Sequence, residues 1–206
     1  MIVNSCREAL ESLRSRHSFV LTRSGYSGIQ EWSAVWTGDN QSLWEYLEIS
    51  LPMLCNLGLS GVPFVGADIG GFAGNSTPEL FARWMQIGVF YPLMRSHSRI
   101  NTRPHLLPYL YSLFWSAAST GEPILRPMFH HYFKDSQTYK LYDQVLLGSS
   151  LMAAPIYRPG IECRSVYFPI VTWYDWWTGE SCIGKGYVLA HAPLEGMRIY
   201  TFVKKP

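Results

Sequence analysis

Short apolar runs alternate with segments of helical spacing through residue 121, and this alternation most constrains the fold. Four runs have the composition of buried strands: 18–22, 31–36, 62–72 and 89–94. Four segments have helical spacing: 4–16, 42–59, 75–88 and 106–121. Strands that alternate with helices are joined by right-handed crossovers and form a parallel sheet. The sequence therefore predicts an α/β arrangement in which polar loops gather at the carboxyl ends of the strands.

Local signals predict where the helices begin and end. Ser76 and Glu79 have the spacing of a capping box, with Pro78 in the first turn. Gly121 is expected to end the helix at 106–121, and Pro52 to kink the helix at 42–59.

The pattern changes at about residue 137. Short runs such as QVLLGSSLMAAPIY and TWYDWWTGE are separated by Gly, Pro and Ser from there on, which is typical of an antiparallel β domain. We therefore predict two domains, 1–136 and 137–206, with a parallel α/β part followed by a small antiparallel part.

Charge and cysteine spacing exclude several kinds of partner. The net charge is +2 and no Lys/Arg run is longer than Lys204-Lys205, so we expect no nucleic acid. The four cysteines include no C-x-x-C pair, which argues against structural zinc and for reduced thiols. We expect no metal and no cofactor.

The sequence shows no targeting or membrane segment. The N-terminus lacks the apolar core of a signal peptide, and no apolar stretch could span a bilayer, so a cytoplasmic chain without membrane contact is expected.

Asp39 and Asp68 follow predicted strands and are candidates for acid chemistry. Asp39 lies between Gly38 and Asn40, where it could act as a general acid or cap the helix that begins near residue 42. Asp68 precedes Gly70-Gly71, which would let a ligand approach the backbone or simply form a tight turn. Glycoside hydrolysis usually needs two carboxylates, so an Asp39/Asp68 pair is one hypothesis that spacing alone cannot decide.

Other polar and aromatic residues have two interpretations each. Arg95 and His97 are two residues apart, so an extended segment would direct both to one face, although His97 could equally be a core histidine. The aromatic residues of 173–177 could be a sugar platform or core packing.

Two Gly-containing segments exclude other enzyme classes. GYSGI has Ile29 where the nucleophile elbow of a serine hydrolase needs Gly, so a serine hydrolase is excluded. GADIGG lacks the glycine pattern of a dinucleotide-binding loop, so a Rossmann domain is excluded.

Five ordered motifs together resemble glycoside hydrolase family 31, which contains α-glucosidases and α-xylosidases. The motifs are LTRSGYSG, WTGDN, VPFVGADIGGF, RWMQIGVFYPLMRSHSR and LLPYLYSLF. The likeness continues through GEPILRPMF, VYFPIVTWYDWWTGE and HAPLEGM, so it covers nearly the whole chain. The resemblance implies the second half of a (β/α)₈ TIM barrel followed by a β domain.

The resemblance also implies roles for individual residues. Asp39 in WTGDN matches the general acid/base, which protonates the departing oxygen and then activates water. Arg23 matches an arginine that binds sugar hydroxyls, Trp36 and Phe72 match aromatic walls of the subsite, and His97 matches a sugar-binding histidine. Asp68 matches a supporting acid beside His97 rather than the nucleophile, which argues against the Asp39/Asp68 pair. Arg95 is expected to be a second supporting residue.

One expected element has no match in the chain. The family carries its nucleophilic aspartate in a motif like W-x-D-M-N-E on an earlier strand, and residues 1–17 contain no such motif. We therefore expect part of a retaining glycosidase for terminal α-linked glucose or xylose that needs its missing half or self-association. The alternative from a different class is a non-catalytic remnant that at most binds an oligosaccharide or α-glucoside.

Overall fold

The structure, a computed structural model, describes residues 2–14, 18–96, 107–184 and 186–202. The helices in these ranges are α1 (Ile2–Arg14), α2 (Trp44–Leu59), α3 (Pro78–Gly88), α4 (Leu107–Thr120) and α5 (Met128–His131). The first six strands are β1 (Leu21–Thr22), β2 (Ala34–Trp36), β3 (Val65–Gly66), β4 (Asp68–Ile69), β5 (Arg95–Ser96) and β6 (Leu125–Pro127). The remaining strands are β7 (Val145–Leu147), β8 (Leu151–Ala154), β9 (Cys163–Phe168), β10 (Thr172–Asp175), β11 (Ser181–Ile183), β12 (Gly186–His191) and β13 (Arg198–Phe202).

The first part of the chain is the predicted parallel α/β arrangement. Strands β1, β2 and β3 form a sheet in that order, and both pairings are parallel. Strand β4 follows β3 after one residue and pairs in parallel with β5, so that Asp68 lies opposite Arg95. The parallel alternation predicted from the apolar runs is confirmed, although the strands are shorter than the runs.

The fourth apolar run, 89–94, was wrongly predicted as a strand. Phe90 and Tyr91 are fully buried in the turn that follows α3, and β5 begins only at Arg95. Leu93 does donate its backbone N–H to the carbonyl of Val65 at 3.0 Å. The run is apolar because it lies in the core, and burial does not require a strand.

The helix boundaries follow the local signals with one correction. Pro78 is in the first turn of α3, but the capping oxygen belongs to Thr77, which accepts from the N–H of Leu80, and not to Ser76. Gly121, at φ +77°, follows the end of α4 as predicted. Pro52 lies inside α2, which continues to Leu59.

The second part of the chain is antiparallel, as predicted. One sheet has the order β11-β10-β13-β8-β7-β6, and β9 pairs with β12 separately. Strand β6 pairs with β7 although its residues, 125–127, precede residue 137, so this sheet begins before the predicted boundary. The division at residues 136 and 137 stays a prediction.

Two hydrophobic clusters form the core. One contains Leu54, Trp84 and Phe90 beneath the parallel strands and continues into the antiparallel sheet at Leu147 and Ile199. The other lies inside the antiparallel part and surrounds Trp173, which is fully buried. Core packing is therefore the confirmed interpretation for Trp173. Because the first cluster crosses from one part to the other, the two parts share a core.

A buried arginine also joins the two parts. Arg83 on α3 is 1 % exposed, and its guanidinium donates to the carbonyls of Ile161, Ala192 and Pro193 at 3.0–3.1 Å. Burial lowers the pKa of Arg83, while the negative charges of nearby glutamates raise it. The guanidinium thus fixes α3 against two loops of the antiparallel part.

In the part of the chain that the structure describes, no helix is both long and apolar enough to cross a bilayer.

Candidate functional site

Arg23 and Asp39 come together at the carboxyl ends of two neighbouring strands. Arg23 follows β1 directly, and Asp39 lies three residues after the end of β2. Because β1 and β2 are parallel neighbours, both loops leave the sheet at the same edge. Nη1 of Arg23 is 3.6 Å from Oδ2 of Asp39, and the side chains are 58 % and 53 % exposed. The carboxylate is therefore both paired with a cation and accessible from solvent.

Gly38 lets the arginine lie against the Asp39 loop. Its φ is +91°, and a Cβ atom built there would lie 2.5 Å from Nε of Arg23. Any side chain would therefore push the guanidinium away and strain the backbone.

Asp39 does not cap the following helix. The N-cap of α2 is Leu43, with no side-chain cap hydrogen bond. The structural interpretation of Asp39 that the sequence left open is therefore wrong.

Asp68 and Arg95 form a second, tighter ion pair. Nε of Arg95 is 2.7 Å from Oδ1 of Asp68, and Nη2 is 3.2 Å from Oδ2, so the pair is bidentate. The side chain of Asp68 is 1 % exposed. The guanidinium carbon of Arg95 also lies 5.2 Å from the centre of the Trp36 ring, which ends β2. Three predicted site residues thus form one cluster beside the Asp39 loop.

Asn40, which the sequence analysis did not select, connects the Asp39 loop to the loop after β4. The Asn40 side chain donates from Nδ2 to the carbonyl of Asp68 at 2.9 Å and accepts at Oδ1 from the N–H of Phe72 at 3.0 Å. The backbone carbonyl of Asn40 accepts from the N–H groups of Phe72 and Ala73. Its position directly after Asp39 was the only sequence signal that could have identified it.

Ser42 makes a second connection between the same two loops. Its hydroxyl donates to the carbonyl of Gly70 at 2.8 Å, and its N–H donates to the carbonyl of Ala73. Gly71 makes this approach possible, because a Cβ atom there would lie 2.5 Å from the backbone nitrogen of Ser42. The two loops therefore meet through their backbones.

The remaining predicted residues differ in what can be said of them. Phe72 is 52 % exposed, so much of its ring faces solvent beside the Asp39 loop to which its backbone is bound. His97 lies outside the described residues. Among the residues that are described, no group of three or more His, Cys, Asp or Glu side chains could hold a metal ion.

The chain matches two domain families of one enzyme class. Residues 1–119 match the family model "Glycosyl hydrolases family 31 TIM-barrel domain", and residues 121–205 match "Glycosyl hydrolase family 31 C-terminal domain". Over 210 residues it is 46 % identical to "Alpha-glucosidase 2" of Bacillus thermoamyloliquefaciens, which covers 91 % of this chain and 27 % of that protein. It is 40 % identical to a "Probable glucan 1,3-alpha-glucosidase" of Arabidopsis thaliana, covering 81 % of this chain and 20 % of that one. The chain thus spans about a quarter of the length of these curated relatives.

Solved structures give the same result. A GH31 α-xylosidase from a soil metagenome, complexed with xylose, superimposes with a TM-score of 0.88 at 25 % identity, over 98 % of this chain and 37 % of that one. The glucosidase II alpha subunit superimposes with a TM-score of 0.87 at 32 % identity, over 98 % of this chain and 25 % of that one. The predicted fold, a TIM-barrel portion followed by a β domain, is confirmed.

Proposed function

The chain belongs to glycoside hydrolase family 31, and on that premise we propose that it supplies the acid/base side of a retaining α-glucosidase-type site. In this proposal Asp39 protonates the departing glycosidic oxygen and afterwards takes a proton from water. The observation that carries the proposal is the solvent-accessible Asp39 carboxylate, held beside Arg23 at the carboxyl edge of the parallel strands.

The neighbouring residues fit the binding of a terminal α-linked sugar. Arg23 has donors on an exposed guanidinium, which suit the hydroxyls of a sugar. Phe72 and Trp36 offer aromatic faces, and Arg95 is held by Asp68 against Trp36. In this arrangement Asp68 keeps Arg95 in place and does not attack the sugar.

The second carboxylate of a retaining mechanism is proposed to come from residues outside these 206. Asp68 is committed to a buried, bidentate ion pair, so using it as a nucleophile would leave the Arg95 charge without its partner. The remainder of a barrel, or another polypeptide that carries it, would then provide the nucleophile. The substrate class that we propose is an oligosaccharide or α-glucoside, with α-xyloside as the other sugar to test.

The test compares the chain alone with a chimera. In the chimera, these 206 residues replace the matching segment of "Alpha-glucosidase 2", and hydrolysis of p-nitrophenyl α-glucoside and α-xyloside is measured for both proteins. We expect no turnover by the chain alone and turnover of one substrate by the chimera. Asp39→Asn should reduce kcat of the chimera by about 10²–10⁴-fold, the usual contribution of a general acid/base.

The matched control is Glu45→Gln, which also removes one negative charge but lies exposed in the first turn of α2. We expect it to leave turnover unchanged. Full activity of the Asp39→Asn chimera would refute the role of Asp39. Turnover by the chain alone would refute the proposal that the nucleophile lies elsewhere.

A further inference from the structure

Asn40 is buried between the two loops that carry the candidate site. It is 7 % exposed and directly follows Asp39. Its amide makes one hydrogen bond to the carbonyl of Asp68 and one to the N–H of Phe72, residues 28 and 32 positions away. One side chain therefore binds the backbone of two other site residues.

These two bonds require a carboxamide. One oxygen must accept from Phe72 while a nitrogen on the same carbon donates to Asp68, and Asn is the shortest side chain with both groups. A carboxylate of the same shape would keep the acceptor but would oppose its second oxygen to the carbonyl of Asp68. A hydroxyl is too short to bridge both groups. The site therefore distinguishes Asn from its isostere Asp.

We propose that Asn40 is a positioning residue that holds the Asp39 carboxylate and the Phe72 ring in register with the Asp68–Arg95 pair. This inference rests on the proposed function of Asp39 and extends it to the loop that carries the acid. Among the described residues, the Asp39 side chain has one ion pair, with exposed Arg23 at 3.6 Å, which is a weak restraint in water. Asn40, the next residue, is bound to the loop after β4 through both its side chain and its backbone carbonyl, so Asp39 takes its position from Asn40.

A displaced general acid has a characteristic kinetic effect. Protonation of the glycosidic oxygen accelerates bond cleavage most when the leaving group is poor, such as the sugar alkoxide released from maltose. It accelerates cleavage least when the leaving group is p-nitrophenolate, which is already a stable anion. Loss of Asn40 should therefore reduce kcat/KM for maltose more than for p-nitrophenyl α-glucoside. A variant that merely lowers the amount of folded enzyme reduces both by the same factor.

The first measurement uses the chain alone and needs no activity. In Asn40→Ala, the N–H groups of Phe72 and Ala73 keep their bonds to the Asn40 backbone carbonyl, but the two side-chain bonds that hold this loop are lost. Hydrogen exchange at both amides should therefore become about 5- to 30-fold faster. Exchange at Val35 in β2 serves as the reference for global stability. Asn56→Ala, on the exposed face of α2, is the matched control and should change neither. If Asn40→Ala does not fold, Asn40→Asp tests the bond to Asp68 alone at constant size, and exchange is then measured at Gly71, whose N–H donates to the same Asp68 carbonyl.

The second measurement uses the chimera described above. For Asn40→Asp, kcat/KM for maltose should fall at least about tenfold more than for p-nitrophenyl α-glucoside. Unchanged exchange at Phe72 would overturn the connection between the loops, and equal losses on both substrates would overturn the positioning of Asp39. An inactive wild-type chimera would count against the proposed function alone, since the exchange experiment still decides whether Asn40 fixes the loops.

Discussion

Replacing Arg83 by Met should destabilise the whole chain. The change removes three hydrogen bonds to carbonyls at 3.0–3.1 Å, and one to the Gln86 side chain at 3.2 Å, from a guanidinium that is 1 % exposed. The carbonyls of Ile161 and Ala192 lose this donor, while the carbonyl of Pro193 still accepts from the N–H of Gly196. A hydrogen bond from a charged group contributes about 1.5–3 kcal/mol net, but the desolvation of the lost charge is recovered, so the sum is not additive. We expect the free energy of unfolding to fall by about 3–5 kcal/mol, because each buried carbonyl left without its donor costs about 1–3 kcal/mol and the buried side chain also loses its packing.

Urea denaturation followed by far-UV circular dichroism measures this change. Arg158→Met, at an exposed arginine of the antiparallel part, is the matched control and should stay within about 0.5 kcal/mol of wild type. Arg83→Lys should lie between the two, because an ammonium lacks the planar fork that reaches several carbonyls at once. A loss below about 1 kcal/mol for Arg83→Met would refute the view that this guanidinium holds α3 to the antiparallel part.

Three further predictions concern stability and reactivity. Gly66→Ala should lower the free energy of unfolding by about 3 kcal/mol in thermal melting, because its Cβ would lie 1.9 Å from the backbone oxygen of Leu93; unchanged melting would contradict this contact. Burial raises the pKa of Cys55 from 9.0 to about 12, so the unfolded state loses this proton first and stability should fall as pH rises from 9 to 12. The contribution of Cys55 to the slope, up to about 1.4 kcal/mol per pH unit, should be absent from Cys55→Ala, so denaturation at each pH should show a smaller loss for the variant than for wild type. Buried tyrosines such as Tyr91, whose pKa burial also raises, add the same slope to both proteins. Ellman's reagent should react with the exposed Cys6 and Cys163 in the native chain and with Cys55 only after denaturation, and rapid native labelling of Cys55 would contradict its burial.

The sequence predicts helices better than short strands in this chain, for a physical reason. Helix α4 was predicted at 106–121 and is described at Leu107–Thr120, because apolar spacing and Gly121 both mark it locally. The prediction of a strand over 89–94 was wrong because Phe90 and Tyr91 pack in the core although their backbone forms no strand. Apolar composition indicates only that a segment is buried. A strand also requires a hydrogen-bonded partner strand, and the tertiary structure decides whether one is present.

Only the part of the candidate site that follows from the order of strands and loops could be predicted from the sequence. The sequence predicted Asp39, Asp68 and Arg95 together at the ends of parallel strands. The structure places Asp68 opposite Arg95 in the separate β4–β5 pair, with Arg95 against Trp36 at the end of β2. Asn40 could not be found in this way, because its partners are 28 and 32 residues away and are backbone groups that carry no sequence signature.

The two strand-end aspartates also show why spacing alone cannot assign an acid. Asp39 is half exposed and, among the described residues, its carboxylate has one long ion-pair contact, with an equally exposed arginine, so it belongs to no buried pair. Asp68 is 1 % exposed and in contact through both oxygens with the guanidinium of Arg95, so its carboxylate is part of a largely buried ion pair. Equal positions in the sequence pattern therefore give one exposed carboxylate in a long ion pair and one buried carboxylate in a tight ion pair. The difference arises from the β4–β5 pairing, which sets Arg95 directly opposite Asp68.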